Sequence, residues 1–110
     1  MTLASMIGKL AKFAAGNESV HSRHSRQDFA FLGTLVRAAG AQESLVRQVQ
    51  SANTAQEVLE LMEEMRLTAF HDLLCRTAWE CAASMTQGAY PLEILLLGKA
   101  GEILGRYPAG

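Results

Sequence analysis

The chain has 110 residues, 49% of them hydrophobic and 19% charged, with a formal charge of −1 at neutral pH. That length and balance suit one small globular domain and exclude disorder over most of the chain. A charge so close to zero argues against a dedicated nucleic-acid binder, which is normally basic.

Residues 2–15 project as an amphipathic helix, with Leu3, Met6, Ile7, Leu10, Phe13 and Ala14 on one side and Lys9 on the other. Gly16-Asn17 supplies a left-handed stop. Such a helix either packs on its own domain or docks into a partner groove, with Leu10 and Phe13 as the contact residues. Two lysines, Lys9 and Lys12, are a weak handle on a membrane, and no membrane role is expected.

Residues 17–27 are nearly devoid of apolar side chains and read as a polar linker between the helix at 1–16 and a bundle domain at 28–105. His21 and His24 lie in it, flanked by Arg23 and Arg26, which would oppose a bound cation. Asp28 is a candidate N-cap for a broad apolar helix through Phe29, Leu32 and Val36, ended by Ala38-Ala39-Gly40. A short helix over Gln42 to Ala52 follows, with Leu45, Val46 and Val49 inward.

The stretch from Thr54 to Met85 carries the clearest helical signal. Thr54 and Glu57 form a capping box, and Val58, Leu59, Met62 and Met65 mark one face of the helix they open. Glu60, Glu63 and Glu64 lie opposite and, with Glu57, make an acidic surface that is a candidate for binding a protein partner. A second helix from Thr68 places Phe70, Leu74, Ala78, Cys81 and Met85 inward and sets His71, Cys75 and Trp79 along one edge.

After Gly88 and Pro91, the segment 92–104 is apolar nearly all round and reads as a last helix. Leu92, Leu96, Leu97 and Ile103 are its candidate contacts with a second copy of the chain, where Gly98 and Gly101 would permit close approach. Residues 106–110 read as a tail. The expected fold is all-α, a compact bundle of five or six short helices with no sheet.

No HExxH, CxxC, nucleophile elbow or phosphate-cradling glycine loop occurs in the chain. The two cysteines are no disulfide framework. On one helix they would stand ~9 Å apart along the axis, beyond a bridge's reach, so a reducing, cytoplasmic setting is expected. His71 and Cys75, four residues apart, are the single pair able to hold a metal or redox group, against a plain packing role. No cofactor is otherwise implied.

The middle of the chain resembles a family of small nitrogen-fixation-associated helical proteins, whose domain also serves as a leader in some bacterial modified peptides. The carrying residues are Phe31-Leu32, Leu45, Val49, Ala52, Ala55-Gln56-Glu57-Val58, Leu61, Leu67-Thr68-Ala69 and Leu73. The resemblance implies a bacterial, cytoplasmic, non-catalytic accessory or adaptor protein that binds another protein. The alternative is a small metal- or redox-binding helical protein using His71 and Cys75.

Overall fold

The computed structural model describes residues 2–14, 26–87 and 91–108. Its first element is a strand, β1 (Thr2–Met6), which passes without a loop into helix α1 (Ile7–Ala14). Four more helices follow: α2 (Arg26–Ala38), α3 (Glu43–Gln50), α4 (Ala55–Glu64) and α5 (Ala69–Thr86). Two strands, β2 (Glu93–Leu97) and β3 (Ile103–Tyr107), close the described chain. The strands form one sheet in the order β1-β2-β3, with β1 parallel to β2 and β2 antiparallel to β3. An all-α bundle without a sheet is therefore incorrect, and so is a helix over 92–104.

The reason lies in the glycines. A helix through Leu92 to Leu104 would carry Gly98 and Gly101 in its interior at a cost of about 1 kcal/mol each. In the sheet the same residues make the β2–β3 turn. The Gly98 amide donates to the Glu102 carbonyl at 2.8 Å, the Gly101 amide donates to the Gly98 carbonyl at 3.0 Å, and Gly101 takes φ +84°. A short apolar run such as Ile94-Leu95-Leu96-Leu97 fits a buried strand as well as a buried helix.

Once β2 is a strand, its second edge needs partners for its amides and carbonyls. β1 supplies them in register, Leu3 beside Ile94 and Ser5 beside Leu96. The first five residues of the expected N-terminal helix are thus recruited by a strand far along the chain, and only Ile7–Ala14 remains helical. Parallel neighbours require a long crossover, here the helices that lie between them.

The local grammar of the middle helices holds. The Thr54 hydroxyl accepts from the Glu57 amide at 3.1 Å, and the Glu57 carboxylate accepts from the Asn53 amide at 2.8 Å. Gly40 ends α2 at φ +101°. At the end of α4 no glycine is present, and Arg66 takes the left-handed turn itself at φ +58°.

One face of the sheet is the inner one. Ile94 and Leu96 are fully buried with Ile7, Leu10, Phe29, Leu32, Phe70 and Leu74. Each such side chain contributes roughly 1.5–3 kcal/mol of apolar burial. α5 packs against α1, β2 and β3, so its buried stripe is turned towards His71, Cys75 and Ala82. Met85, expected inside, is 58% exposed. Gly105 on β3 admits α5: a Cβ there would meet the His71 Cβ at 3.0 Å and its carbonyl oxygen at 3.1 Å. Among the described residues, no helix is long and apolar enough to cross a membrane.

Candidate functional site

His71 and Cys75 face the core. His71 is buried, its Nδ1 lies 3.3 Å from the Thr68 carbonyl oxygen, and its ring meets Phe70 edge-on at 5.9 Å. Cys75 is buried beneath the sheet, and burial pushes its thiol up to about 11, against an opposing backbone hydrogen bond from Leu96. A thiol so desolvated is a poor nucleophile at neutral pH. His21 and His24 lie outside the described residues, and among the described ones no group of three His, Cys, Asp or Glu converges.

The acidic face is exposed. Glu57 is engaged in its capping box, Glu60 meets Lys99 of the β2–β3 turn at 3.6 Å, and Glu63 and Glu64 point to solvent. Leu10 is 1% exposed and belongs to the core, whereas Phe13 and Leu92 border an apolar hollow of about 230 Å³. The Leu92 carbonyl accepts from the Trp79 indole at 3.0 Å. Leu96 is fully buried, Ile103 is 56% exposed on β3, and Leu97 borders a groove.

That groove, of about 640 Å³, opens where β1 and β2 end together. Its volume falls within the roughly 300–1,000 Å³ of small-molecule sites. Ala4, Met6 and Leu97 give an apolar floor, while Ile7, Gly8 and Lys9 bring the first turn of α1 and Thr54, Ala55 and Gln56 the first turn of α4. First-turn amides have no acceptor within their own helix, and the helix dipole makes this end positive. At α4 the capping box occupies the Glu57 amide. At α1 the strand runs straight into the helix, and Gly8 places no side chain over the backbone.

In open α/β sheets, ligands gather at the carboxyl ends of parallel strands, and this groove occupies that position. Its wall holds the one orphaned side-chain atom found among the described residues: Gln56 Oε1 is buried with no hydrogen-bond partner. The amide nitrogen of the same side chain donates to Glu60 at 3.4 Å. A ligand donor would satisfy this acceptor once the half-buried Gln56 side chain turned into the groove. Sequence spacing gave no hint of this, because it depends on two strands more than ninety positions apart. The Met6-Ile7-Gly8-Lys9 junction was the available signal, hidden inside an amphipathic pattern.

Residues 19–108 match the family described as CbiD, C-terminal domain. The chain belongs to that family. A cobalt-precorrin-5B C(1)-methyltransferase of Geobacillus kaustophilus is 35% identical over 106 residues, 96% of this chain and 28% of that protein. Proteins of the same name from Brucella anthropi and Pseudomonas fluorescens are 39% and 33% identical, over 96% of this chain and 29% and 28% of their own lengths. The chain spans less than a third of the length of these curated relatives. No solved structure matches it.

Membership in the CbiD C-terminal domain family overturns the resemblance to nitrogen-fixation-associated helical proteins, whose shared residues are the starts and apolar faces of helices. The names of the relatives likewise overturn the reading of a non-catalytic adaptor. Catalytic motifs were absent from the chain, but the relatives carry most of their length outside the stretch it matches.

Proposed function

We propose that this chain serves as the C-terminal domain of a cobalt-precorrin-5B C(1)-methyltransferase, and that the groove at the ends of β1 and β2 forms part of its substrate site. The observation that carries the reading is similarity over 96% of the chain to proteins of that name, at 35% identity in Geobacillus kaustophilus. The groove suits the role by size and by lining. An apolar floor accepts the flat part of a large organic ligand, and the positive first turn of α1 with Lys9 favours anionic groups on it. Methyl transfer moves a methyl group from a donor to a substrate carbon. This domain's own residues bind and orient in that reaction, and the Gln56 oxygen accepts a hydrogen bond from the bound partner.

A chimera tests this directly. The matched C-terminal stretch of the Geobacillus kaustophilus relative is replaced by the present chain. The product is incubated with cobalt-precorrin-5B and the methyl donor that the relative uses, and the substrate mass is followed. The chimera is expected to add one methyl group, and the relative truncated before the matched stretch to add none. A folded chimera that leaves the substrate mass unchanged, while the relative converts it, would refute the assignment.

A further inference from the structure

The outer face of the sheet has no cover among the described residues, and it is apolar at the end where β1 and β2 finish. Alternation along the strands sends Ile94 and Leu96 inward, so Leu95 and Leu97 point the other way. Both stand outside the core cluster although they are only half-exposed. Beside them on the same face lie Ala4 and Met6 of β1 and Ile103 of β3, with Met6 46% and Ile103 56% exposed. Arg106 pairs with Leu95 across the sheet and turns back to meet Glu93 at 3.2 Å, which leaves the half of the face around Met6, Leu97 and Ile103 without a charged side chain. Among the described residues no strand pairs with the outer edge of β1, which carries no charged residue. An uncharged edge beside a bare apolar face is a liability that folded proteins normally cover.

The groove opens onto this same face, because Ala4, Met6 and Leu97 belong to both. One wall of a ligand site is therefore built, and the side towards solvent is open. The matched stretch is only 28% of the Geobacillus kaustophilus protein, so in such enzymes a much larger portion stands before a C-terminal domain of this kind.

We infer that the apolar outer face of the sheet, centred on Met6, Leu95, Leu97 and Ile103, seats the N-terminal portion of the methyltransferase, and that this docking closes the groove into a composite site. The inference rests on the enzyme assignment proposed above. A second copy of the chain is the competing occupant. It would cover the face but bring none of the portion that the relatives carry beyond the matched stretch.

Thiol labelling in the free chain and in the chimera decides the matter. Ile103→Cys and Met6→Cys place probes at positions exposed in the free chain, so neither should disturb folding, which circular dichroism checks. Glu64→Cys on α4 is the control, and the unmodified proteins give the background from Cys75 and Cys81. A maleimide is expected to label both probes about tenfold or more slowly in the chimera than in the free chain, with the control unchanged. Equal rates in the two proteins, with methyl transfer by the unmodified chimera intact, overturn the docking and leave the enzyme assignment standing. Protection of both probes, with no methyl transfer by the unmodified chimera, keeps the docking and removes the assignment. Slow labelling in the free chain that speeds up on dilution shows a second copy on the face and overturns the proposal.

Discussion

Two side chains carry the chemistry that individual residues contribute. Gln56 leaves Oε1 buried and unpaired, a condition that costs ~1–3 kcal/mol in a folded protein. Gln56→Met keeps the length of the side chain and removes the orphan. The free chain is then expected to gain about 1 kcal/mol in urea unfolding. The chimera carrying the change should bind cobalt-precorrin-5B more weakly. If stability falls instead, the oxygen has a partner in solution and is no ligand acceptor.

Cys75 behaves differently. Burial raises its thiol from 9.0 to about 11, with the Asp72 carboxylate adding to the rise and the Leu96 backbone hydrogen bond opposing it. The folded chain therefore holds this proton more tightly than the unfolded chain. The resulting stability is complete below pH 9 and is lost as pH rises from about 9 to about 11. Cys75→Ala should flatten that part of the stability-against-pH curve while lowering stability at pH 7, since it opens a cavity. An unchanged alkaline slope would mean that the loss comes from another group.

At the scale of elements, the junctions matter more than the elements themselves. β3 lies against the first turn of α5 only because Gly105 has no side chain. Gly105→Ala is expected to destabilise the chain by roughly 1–3 kcal/mol, as overpacking does, and to be read as a lower midpoint in thermal unfolding. Its near contacts include His71 backbone atoms, which cannot swing away, so a neutral result would show that β3 stands farther from α5 than described.

The helices from α3 to α5 were legible because their signals are local. Thr54 and Glu57 lie three apart and cap one turn, and Val58, Leu59 and Met62 repeat at helical spacing. Gly40 marked the end of α2 for the same reason. The strands were not legible. Thr2–Met6 has one β-branched residue and flows into a true helix, so its apolar positions fit one longer helical face. Its strand character comes from β2, which no sequence window can contain. Glu93–Leu97 is nearly continuous in apolar residues, a pattern shared by buried strands and buried helices. Gly98 and Gly101 could have separated the two cases as turn residues, but they also fit the close approach of two helices. The groove was lost with the strands, since its floor is their carboxyl ends.

At the scale of the molecule, the inner face of the sheet and five helices account for the core, while the outer face and the groove beside it remain open among the described residues. The position of the groove and the length of the relatives both support the proposal that this domain supplies one wall of a site that the rest of a methyltransferase completes. Stability and function are then separated in space. Ile94, Leu96 and Cys75 hold the fold from one side of β2, and Leu95 and Leu97 on the other are, in the proposed docking, contacts with the rest of the enzyme.

The most direct test is amide hydrogen exchange of the chimera with and without cobalt-precorrin-5B, read by mass spectrometry at peptide resolution. The account predicts slower exchange on binding in the peptides spanning Met6–Lys9 and Thr54–Glu57, which border the groove, with α3 unchanged. Unaltered exchange in both peptides, in a chimera that still transfers the methyl group, would place the substrate elsewhere and contradict it.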